Sequence, residues 1–291
     1  MKLSHQRAVL LMLVVTLLWS TAGVVTRHLE HARSFEVTFW RSFFTVLSLL
    51  VILPVFQGRG VFGRMRESGP ALWISGLCWS GMFTFFMVAI MLTTVANVLV
   101  TMSLAPLLTA LGARIFIGHR IALRTWVAIV VAGCGIAYMY GSQLSKGVSL
   151  AGTLVALCVP IAGAANWTVT QHAHAQGKDI DMIPAVLIGA VISSVLTLPL
   201  SFPFQASVHD VALLAGLGLF QLAIPCVLVV VCTRVLKAPE VALLGLLEVI
   251  FGILLAWAGA GEVPGRDVLV GGSLVIGALV VNELVAWRER A

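Results

Sequence analysis

Glu248 is the residue whose position in this sequence most directly suggests chemistry. It lies in the middle of an apolar run, Val241 to Trp257, that contains no basic residue. A charged side chain at the centre of a bilayer costs about 2.5–3.5 kcal/mol on insertion scales, so this carboxylate is expected to face a bundle interior or a wet cavity. Either it contacts a substrate amino group or carries a proton, or it is a buried polar group hydrogen-bonded to a neighbouring helix.

Three tryptophans lie deep within apolar runs and beside small or polar residues, namely Trp19, Trp79 and Trp167. An indole N–H in an apolar environment needs a hydrogen-bond partner, and aromatic walls suit an apolar or aromatic ligand. We therefore expect these side chains to line a binding cavity, with simple packing as the alternative. The other tryptophans lie near the ends of runs, which favours an interfacial belt. They are Trp40, Trp73, Trp126, Trp257 and Trp287.

Prolines accompany polar residues in three of the apolar runs. A proline inside a helix removes a backbone donor and frees a carbonyl one turn earlier, which a cavity or a neighbouring helix must satisfy. Pro106, Pro160 and Pro225 are therefore predicted gating or hinge positions, with ordinary kinks as the alternative. The full set of predicted substrate-binding residues is Trp19, Ser20, Trp79, Thr101, Ser103, Ala105, Asn166, Trp167, Gln221 and Glu248.

Less specific roles are predicted for the remaining arginines and histidines of interest and for the cysteines. Arg41 and Arg114 lie near the ends of runs, so their side chains are expected to snorkel to headgroups, with anion recognition as the alternative. His172 and His174 are expected to be solvated, and the cysteines to be free thiols inside spans. No catalytic residue, metal site or cofactor is predicted, because the sequence has no Walker A phosphate loop and no HExxH or GxSxG signature.

The composition indicates what kind of element must position these residues. Of the 291 residues, 60% are hydrophobic and only 10% are charged, against about 25% charged in an ordinary soluble domain. The mean hydropathy is +1.05. A water-soluble fold cannot bury this much apolar surface, so the chain is predicted to be a polytopic membrane protein. Its net charge of +6 is scattered through short connectors, which does not resemble a nucleic-acid-binding surface.

About 20 apolar residues are needed for each helix that crosses a bilayer. Ten such runs occur, none with the alternation of a barrel strand, and the division between the third and fourth at Thr93–Asn97 is weak. The prediction is an all-α protein with ten transmembrane helices. The runs are Ala8–Thr26, Val37–Phe56, Ala71–Thr94, Val95–Ile117, Leu123–Gly141, Val148–Gln171, Met182–Phe204, Val211–Thr233, Val241–Ala260 and Val268–Val281.

The distribution of basic residues predicts the orientation. With the amino terminus inside, thirteen of the 18 Lys and Arg residues fall on the inner side and five on the outer side. Both termini are therefore expected to be cytoplasmic. The first run follows Lys2 and Arg7 and precedes Ser20-Thr21-Ala22, a pattern that suits a signal peptide, but nine similar runs follow and we predict an uncleaved first helix.

The two halves of the chain resemble each other at an offset of about 143 residues. Ala96 through His119 aligns with Pro239 through Glu262. Five helices in each half is an odd number, so the second half must be inverted relative to the first. Inverted repeats are typical of secondary transporters, whose site lies near the middle of the membrane between the halves. The alternative is the chance similarity expected of any long apolar chain.

Short motifs in both halves resemble the EamA-type branch of the drug/metabolite transporter superfamily, over nearly the whole chain. They are Leu17-Leu18-Trp19-Ser20, Phe39-Trp40-Arg41, Leu104-Ala105-Pro106-Leu107 with Gly118-His119-Arg120, and Glu248-Val249 with Gly261-Glu262 and Gly277. His119 stands where the family often has Glu, and Val249 where it often has Pro, which puts a helix break there in doubt. The resemblance implies two inverted five-helix repeats, here residues 1–143 and 144–291, with helix one at the central cavity.

The resemblance further implies transport of small metabolites, and within the family this chain resembles the amino-acid exporters. We therefore expect a monomeric carrier in a bacterial inner membrane that exports small polar, apolar and aromatic amino acids by alternating access, without an ATPase subunit. The alternatives are a carrier of a nucleoside, nucleotide-sugar or drug-like amine, and a membrane-embedded enzyme or scaffold. An enzyme would need a cluster of titratable groups at one depth, where the sequence offers only Glu248.

Overall fold

The computed structural model describes residues 4–118, 122–145, 150–175, 181–233, 235–236, 241 and 244–288, and these ranges fold into helices joined by short connectors. In chain order the helices are α1 (His5–Thr26), α2 (Ser34–Gln57), α3 (Val61–Glu67), α4 (Pro70–Leu92), α5 (Val95–Met102), α6 (Ala105–Gly112), α7 (Leu123–Ser145), α8 (Leu150–Ala175), α9 (Ile183–Thr197), α10 (Val208–Gly216), α11 (Ile224–Thr233), α12 (Leu247–Ala260) and α13 (Arg266–Arg288). A π-helical turn, Ala113–Ile117, extends α6, and another, Leu217–Ala223, joins α10 to α11. A 3₁₀ turn, Leu198–Ser201, follows α9.

The all-helical membrane architecture predicted from the sequence is confirmed. Within the described ranges, nine helical segments are long and apolar enough to cross a membrane. The ninth predicted run, Val241–Ala260, contains α12, a shorter apolar helix of 14 residues, and part of the first turn of that run lies outside the described residues. His119 and the side chains of His174 and Trp287 also lie outside them.

The weak division predicted between the third and fourth runs is a real helix boundary. α4 ends at Leu92 and α5 begins at Val95. The Thr94 hydroxyl accepts a hydrogen bond from the Asn97 amide at 3.2 Å, which satisfies one of the free donors at the start of α5. The third and fourth predicted runs are therefore separate spans, one formed by α4 and the other by α5 and α6.

The fourth and ninth spans are interrupted at equivalent positions. A turn at Ser103–Leu104 separates α5 from α6, and a turn at Leu246 precedes α12. Ser103 and Leu246 are 143 positions apart, the offset of the sequence repeat. The absence of proline at Val249 therefore does not prevent a break in the ninth span, contrary to the doubt raised by the family resemblance. Interrupted helices in matching positions of two halves are a feature of transporter binding sites.

Helix packing follows the same two-fold relationship between the halves. The contact of α1 with α12 is equivalent to the contact of α8 with α6. The contact of α4 with α8 is equivalent to the contact that α11 and its π-helical turn make with α1. In two further contacts a helix of the first half packs on its own counterpart in the second half: α2 on α9, and α7 on α13. The chain thus has the two-repeat architecture that its internal similarity predicts.

The contact between α7 and α13 depends on two glycines. A Cβ at Gly135 would lie 2.7 Å from the Gly271 carbonyl oxygen, and a Cβ at Gly271 would lie 2.5 Å from the Gly135 carbonyl oxygen. The backbones therefore touch, as expected for small residues between membrane helices. Gly272 is also close to a neighbour, Val100, whereas Gly133 and Gly277 have open space around them.

An ion pair joins the first and second halves where α1, α4 and α12 end and α5 begins. Arg27 Nε donates to Glu262 Oε2 at 2.6 Å, and its two terminal nitrogens donate to the carbonyls of Ile90 and Thr93 at 3.0 and 2.7 Å. The other oxygen of Glu262 accepts from the Val95 amide at 2.6 Å. We call these five residues the Arg27–Glu262 network.

Candidate functional site

A cavity of about 230 Å³ lies between helices of both halves. The first half contributes residues of α1, α2, α4, α5 and α6, and the second contributes α8, the π-helical turn after α10, α11 and α12. Aromatic and apolar side chains predominate, with three polar groups among them. The lining residues are Trp19, Arg41, Trp79, Met82, Phe83, Phe86, Met102, Ala105, Val159, Pro160, Gly163, Trp167, Gln221, Leu222, Cys226 and Glu248.

The cavity lies where the two halves are related by symmetry. Three pairs of its lining residues are 143 positions apart, the offset of the repeat. The pairs are Trp79 with Leu222, Phe83 with Cys226, and Ala105 with Glu248. Equivalent positions of two repeats meet in one cavity only near the axis that relates them. This is the location expected for the substrate site of an inverted-repeat transporter.

Arg41 is the cationic group of the cavity lining. It lies on α2, and only 1% of its surface is exposed. One terminal nitrogen donates to Gln221 Oε1 at 3.0 Å and the other to the Phe83 carbonyl at 3.0 Å. The guanidinium carbon lies 5.7 Å from the ring centroids of both Phe83 and Phe86, which places the charge over aromatic faces.

The prediction that Arg41 snorkels to headgroups is therefore wrong. It was based on distance along the chain, since Arg41 lies close to the start of its apolar run, Val37–Phe56. The direction of the side chain around the helix decides the outcome instead. Arg41 lies on the side of α2 that packs against α4 and the π-helical turn, so its charge enters the bundle.

Gln221 connects Arg41 to the first helix. Its Oε1 accepts from Arg41, and its Nε2 donates to the Trp19 carbonyl at 3.4 Å. The residue is 3% exposed and lies in the π-helical turn between α10 and α11. The amide thus holds the guanidinium of the first half against a helix turn of the second half.

Glu248 supplies the anionic group of the cavity lining. It lies in the first turn of α12, directly after the interruption at Leu246. The free backbone N–H groups at the start of a helix stabilise a negative charge there. Within the described residues, the carboxylate forms neither a hydrogen bond nor an ion pair, and it borders the cavity. The alternative in which a neighbouring helix hydrogen-bonds this group has no support in the described contacts.

Six of the ten predicted binding residues line the cavity: Trp19, Trp79, Ala105, Trp167, Gln221 and Glu248. Trp167 is 49% exposed and so stands at the cavity margin. Pro160 lines the cavity as well, inside α8. Pro106 lies in the first turn of α6, after the interruption, and Pro225 lies in the first turn of α11 beside Cys226.

The other four predicted binding residues lie outside the lining, and each has a partner elsewhere. The hydroxyls of Ser20 and Ser103 donate to carbonyls of their own helices, Leu17 and Val100, at 2.7 and 2.6 Å. Thr101 bonds the Asn97 carbonyl and the Tyr140 hydroxyl. Asn166 Oδ1 accepts from Ser75 at 2.6 Å. Hydroxyls in membrane helices readily satisfy themselves on the preceding turn, which makes them poor indicators of a site.

Sequence reasoning missed most of the apolar lining, and it gave Arg41 a role in anion recognition only as the alternative. Phe83, Phe86, Met82 and Met102 belong to runs in which nearly every residue is apolar, so periodicity cannot distinguish a cavity wall from a lipid contact. A sequence signal for Arg41 was present, because the acidic residue Glu248 in an apolar run favours a cation elsewhere in the bundle interior.

Comparison with known proteins agrees with this architecture. The model of the EamA-like transporter family matches the chain twice, over residues 6–141 and 150–283. A solved structure described only as "Crystal structure of protein" has a TM-score of 0.63 and 20% identity, covering 97% of this chain and 99% of that chain. At that identity the likeness shows a shared fold alone. No curated protein matches the sequence. The chain therefore belongs to the EamA-like transporter family, with two repeats of its domain, and is a multi-pass transporter of the drug/metabolite transporter type with a small-molecule substrate.

Proposed function

We propose that the protein is a secondary transporter that exports small polar, apolar and aromatic amino acids across a bacterial inner membrane by alternating access. The observation that carries the proposal is the carboxylate of Glu248. This group borders the cavity between the two halves, and it has no hydrogen-bond or ion-pair partner among the described residues. A substrate ammonium group is a natural counter-charge for it. Trp19, Trp79 and Phe83 give the cavity aromatic walls that suit an apolar or aromatic side chain.

The size of the cavity supports a small cargo. Its volume of about 230 Å³ is below the range of about 300–1,000 Å³ typical of sites for drug-sized ligands. A nucleotide-sugar is larger and carries at least two negative charges. The described lining offers it one cation, Arg41, and one opposing anion, Glu248. An amino acid, with one charge of each sign, is the better match.

The orientation and direction of transport are part of the same proposal. The bias of basic residues towards one set of connectors supports cytoplasmic termini. Export is supported by the resemblance to amino-acid exporters. The strongest alternative is a drug-like amine or a nucleoside, because Glu248 and the aromatic walls suit an amine equally well.

Counterflow in proteoliposomes tests the proposal. Vesicles preloaded with unlabelled amino acid should take up labelled threonine, methionine and phenylalanine saturably, and protein-free vesicles should not. Trp19→Ala and Glu248→Gln should strongly reduce this uptake. The matched controls Trp126→Ala and Glu67→Gln alter an exposed tryptophan and an exposed glutamate outside the cavity, and should retain it. A folded protein that gives no flux above empty vesicles overturns the amino-acid proposal, and nucleosides, sugars and cationic amines then become the cargo to screen.

A further inference from the structure

Arg41 carries a buried charge that no carboxylate of the described chain neutralises. Its two terminal nitrogens are bound to neutral acceptors, the Gln221 amide and the Phe83 carbonyl. Its Nε is buried and has no hydrogen-bond partner. Glu248 lines the same cavity, yet the two side chains do not form an ion pair. The guanidinium therefore keeps an unsatisfied donor and an unbalanced charge.

Such an arrangement is unfavourable unless a ligand completes it. Burial of a charge without a counter-charge is costly in proteins, and neutral hydrogen bonds and aromatic rings offset only part of that cost. A guanidinium presents its donors in a planar fork that matches the geometry of a carboxylate. The missing partner is thus an anion of carboxylate shape that enters the cavity.

We infer that Arg41 binds the carboxylate of a zwitterionic α-amino acid whose ammonium group contacts Glu248. The inference rests on the proposed function and names the substrate groups that the site recognises. The cation comes from the first half of the chain and the anion from the second, so a bound amino acid would bridge the two halves. The aromatic residues Trp19, Trp79 and Phe83 then surround the substrate side chain.

A purely structural role for Arg41 leads to a different expectation. In that case the bonds to Gln221 and Phe83 serve only to hold α2 against α4 and the π-helical turn. Substrate recognition would depend on Glu248 and the aromatic walls alone. Amines without a carboxylate would then be recognised as well as amino acids.

Competition by phenylalanine analogues in the unmodified protein separates these two roles. Phenylalaninamide and phenethylamine keep the ring and the amine but lack the carboxylate, and 3-phenylpropionate keeps the ring and the carboxylate but lacks the amine. A lost hydrogen bond to a charged group corresponds to a loss in affinity of roughly 10- to 150-fold. We therefore expect each analogue to inhibit phenylalanine counterflow at least about tenfold more weakly than phenylalanine does. Inhibition by the two amines within about twofold of phenylalanine overturns the inference.

Two variants test the assignment to Arg41. Gln221→Glu is nearly isosteric and places a carboxylate where an amide now accepts from Arg41, 3.0 Å away. It should weaken competition by phenylalanine about tenfold while leaving that by phenethylamine unchanged. Arg41→Lys retains the charge but loses the fork, and should lower the preference for phenylalanine over phenethylamine.

The variants are compared at equal folded fraction, measured by thermal unfolding in detergent. An unchanged preference in both overturns the role of Arg41, even if phenylalanine is transported. Absence of any amino-acid flux in the folded, unmodified protein overturns the proposed function and this inference together.

Discussion

The Arg27–Glu262 network provides a quantitative test of how the two halves are held together. The ion pair is partly exposed, with side-chain exposures of 26% and 16%. Glu262 accepts two hydrogen bonds, from Arg27 and from the Val95 amide, both at 2.6 Å. Hydrogen bonds to charged groups contribute about 1.5–3 kcal/mol each when buried, and partial exposure lowers this. We expect Glu262→Gln to lower the free energy of unfolding by about 2–3 kcal/mol.

Charge reversal distinguishes a simple ion pair from the wider network. An isolated pair would be restored by the double variant Arg27→Glu with Glu262→Arg. In this structure Arg27 also donates to the carbonyls of Ile90 and Thr93, which a glutamate cannot do. An arginine at position 262 likewise cannot accept from the Val95 amide. The reversed variant should therefore be less stable than either single glutamine variant.

Denaturant unfolding in detergent micelles measures both effects. Arg59→Gln and Glu67→Gln remove exposed charges elsewhere and serve as matched controls, with expected changes within about 0.5 kcal/mol. A double-mutant cycle between Arg27→Gln and Glu262→Gln should give a coupling energy of about 1–2 kcal/mol. Recovery of full stability by the reversed pair, or coupling near zero, refutes the reasoning.

Four further outcomes follow from the described contacts. Asp210→Asn should lower the free energy of unfolding by about 2 kcal/mol, measured by the same titration, because its carboxylate accepts from the amides of Glu30, His31 and Ala32. Gly271→Leu should destabilise the α7–α13 contact by about 2 kcal/mol or more, whereas Gly277→Ala on the same helix should be tolerated in thermal unfolding. Ser20→Ala and Ser103→Ala should keep counterflow within about twofold of the unmodified protein, since neither hydroxyl reaches the cavity. If Glu248 carries the coupled proton, Glu248→Gln should abolish the response of residual transport to a pH gradient; an unchanged response removes that role.

The helical architecture was predictable because it depends on quantities that accumulate along a sequence. Run length and apolar content identify a membrane helix without knowledge of its neighbours. Even the short connector between α4 and α5 was detectable, because Thr94 is a capping residue directly before a new run. The turn at Leu246 was not detectable in this way, since leucine neither caps nor breaks a helix. Only its relationship to Ser103 in the other half indicates it.

Part of the site was predictable because charged and amide side chains are rare within the apolar runs of this chain. Glu248 and Gln221 stand out against apolar neighbours, and both line the cavity. The serines and threonines stand out equally, yet they bond to their own helices. The rotation of α2 decides whether Arg41 reaches lipid headgroups or the bundle interior. That rotation is set by packing against α4 and α9, which no local pattern records.

The symmetry of the fold and the asymmetry of its charges together suggest how binding is linked to motion. Ala105 and Glu248 are equivalent positions, each just after the interruption of its span, but only the second half has an acid there. Arg41 provides the opposite charge from the first half. Any movement of one half against the other therefore changes the separation of the two charges. If a zwitterion bridges the two charges as inferred above, its fixed length fits the cavity best at one separation, so binding would favour one arrangement of the halves, whereas a cation or an anion alone would not.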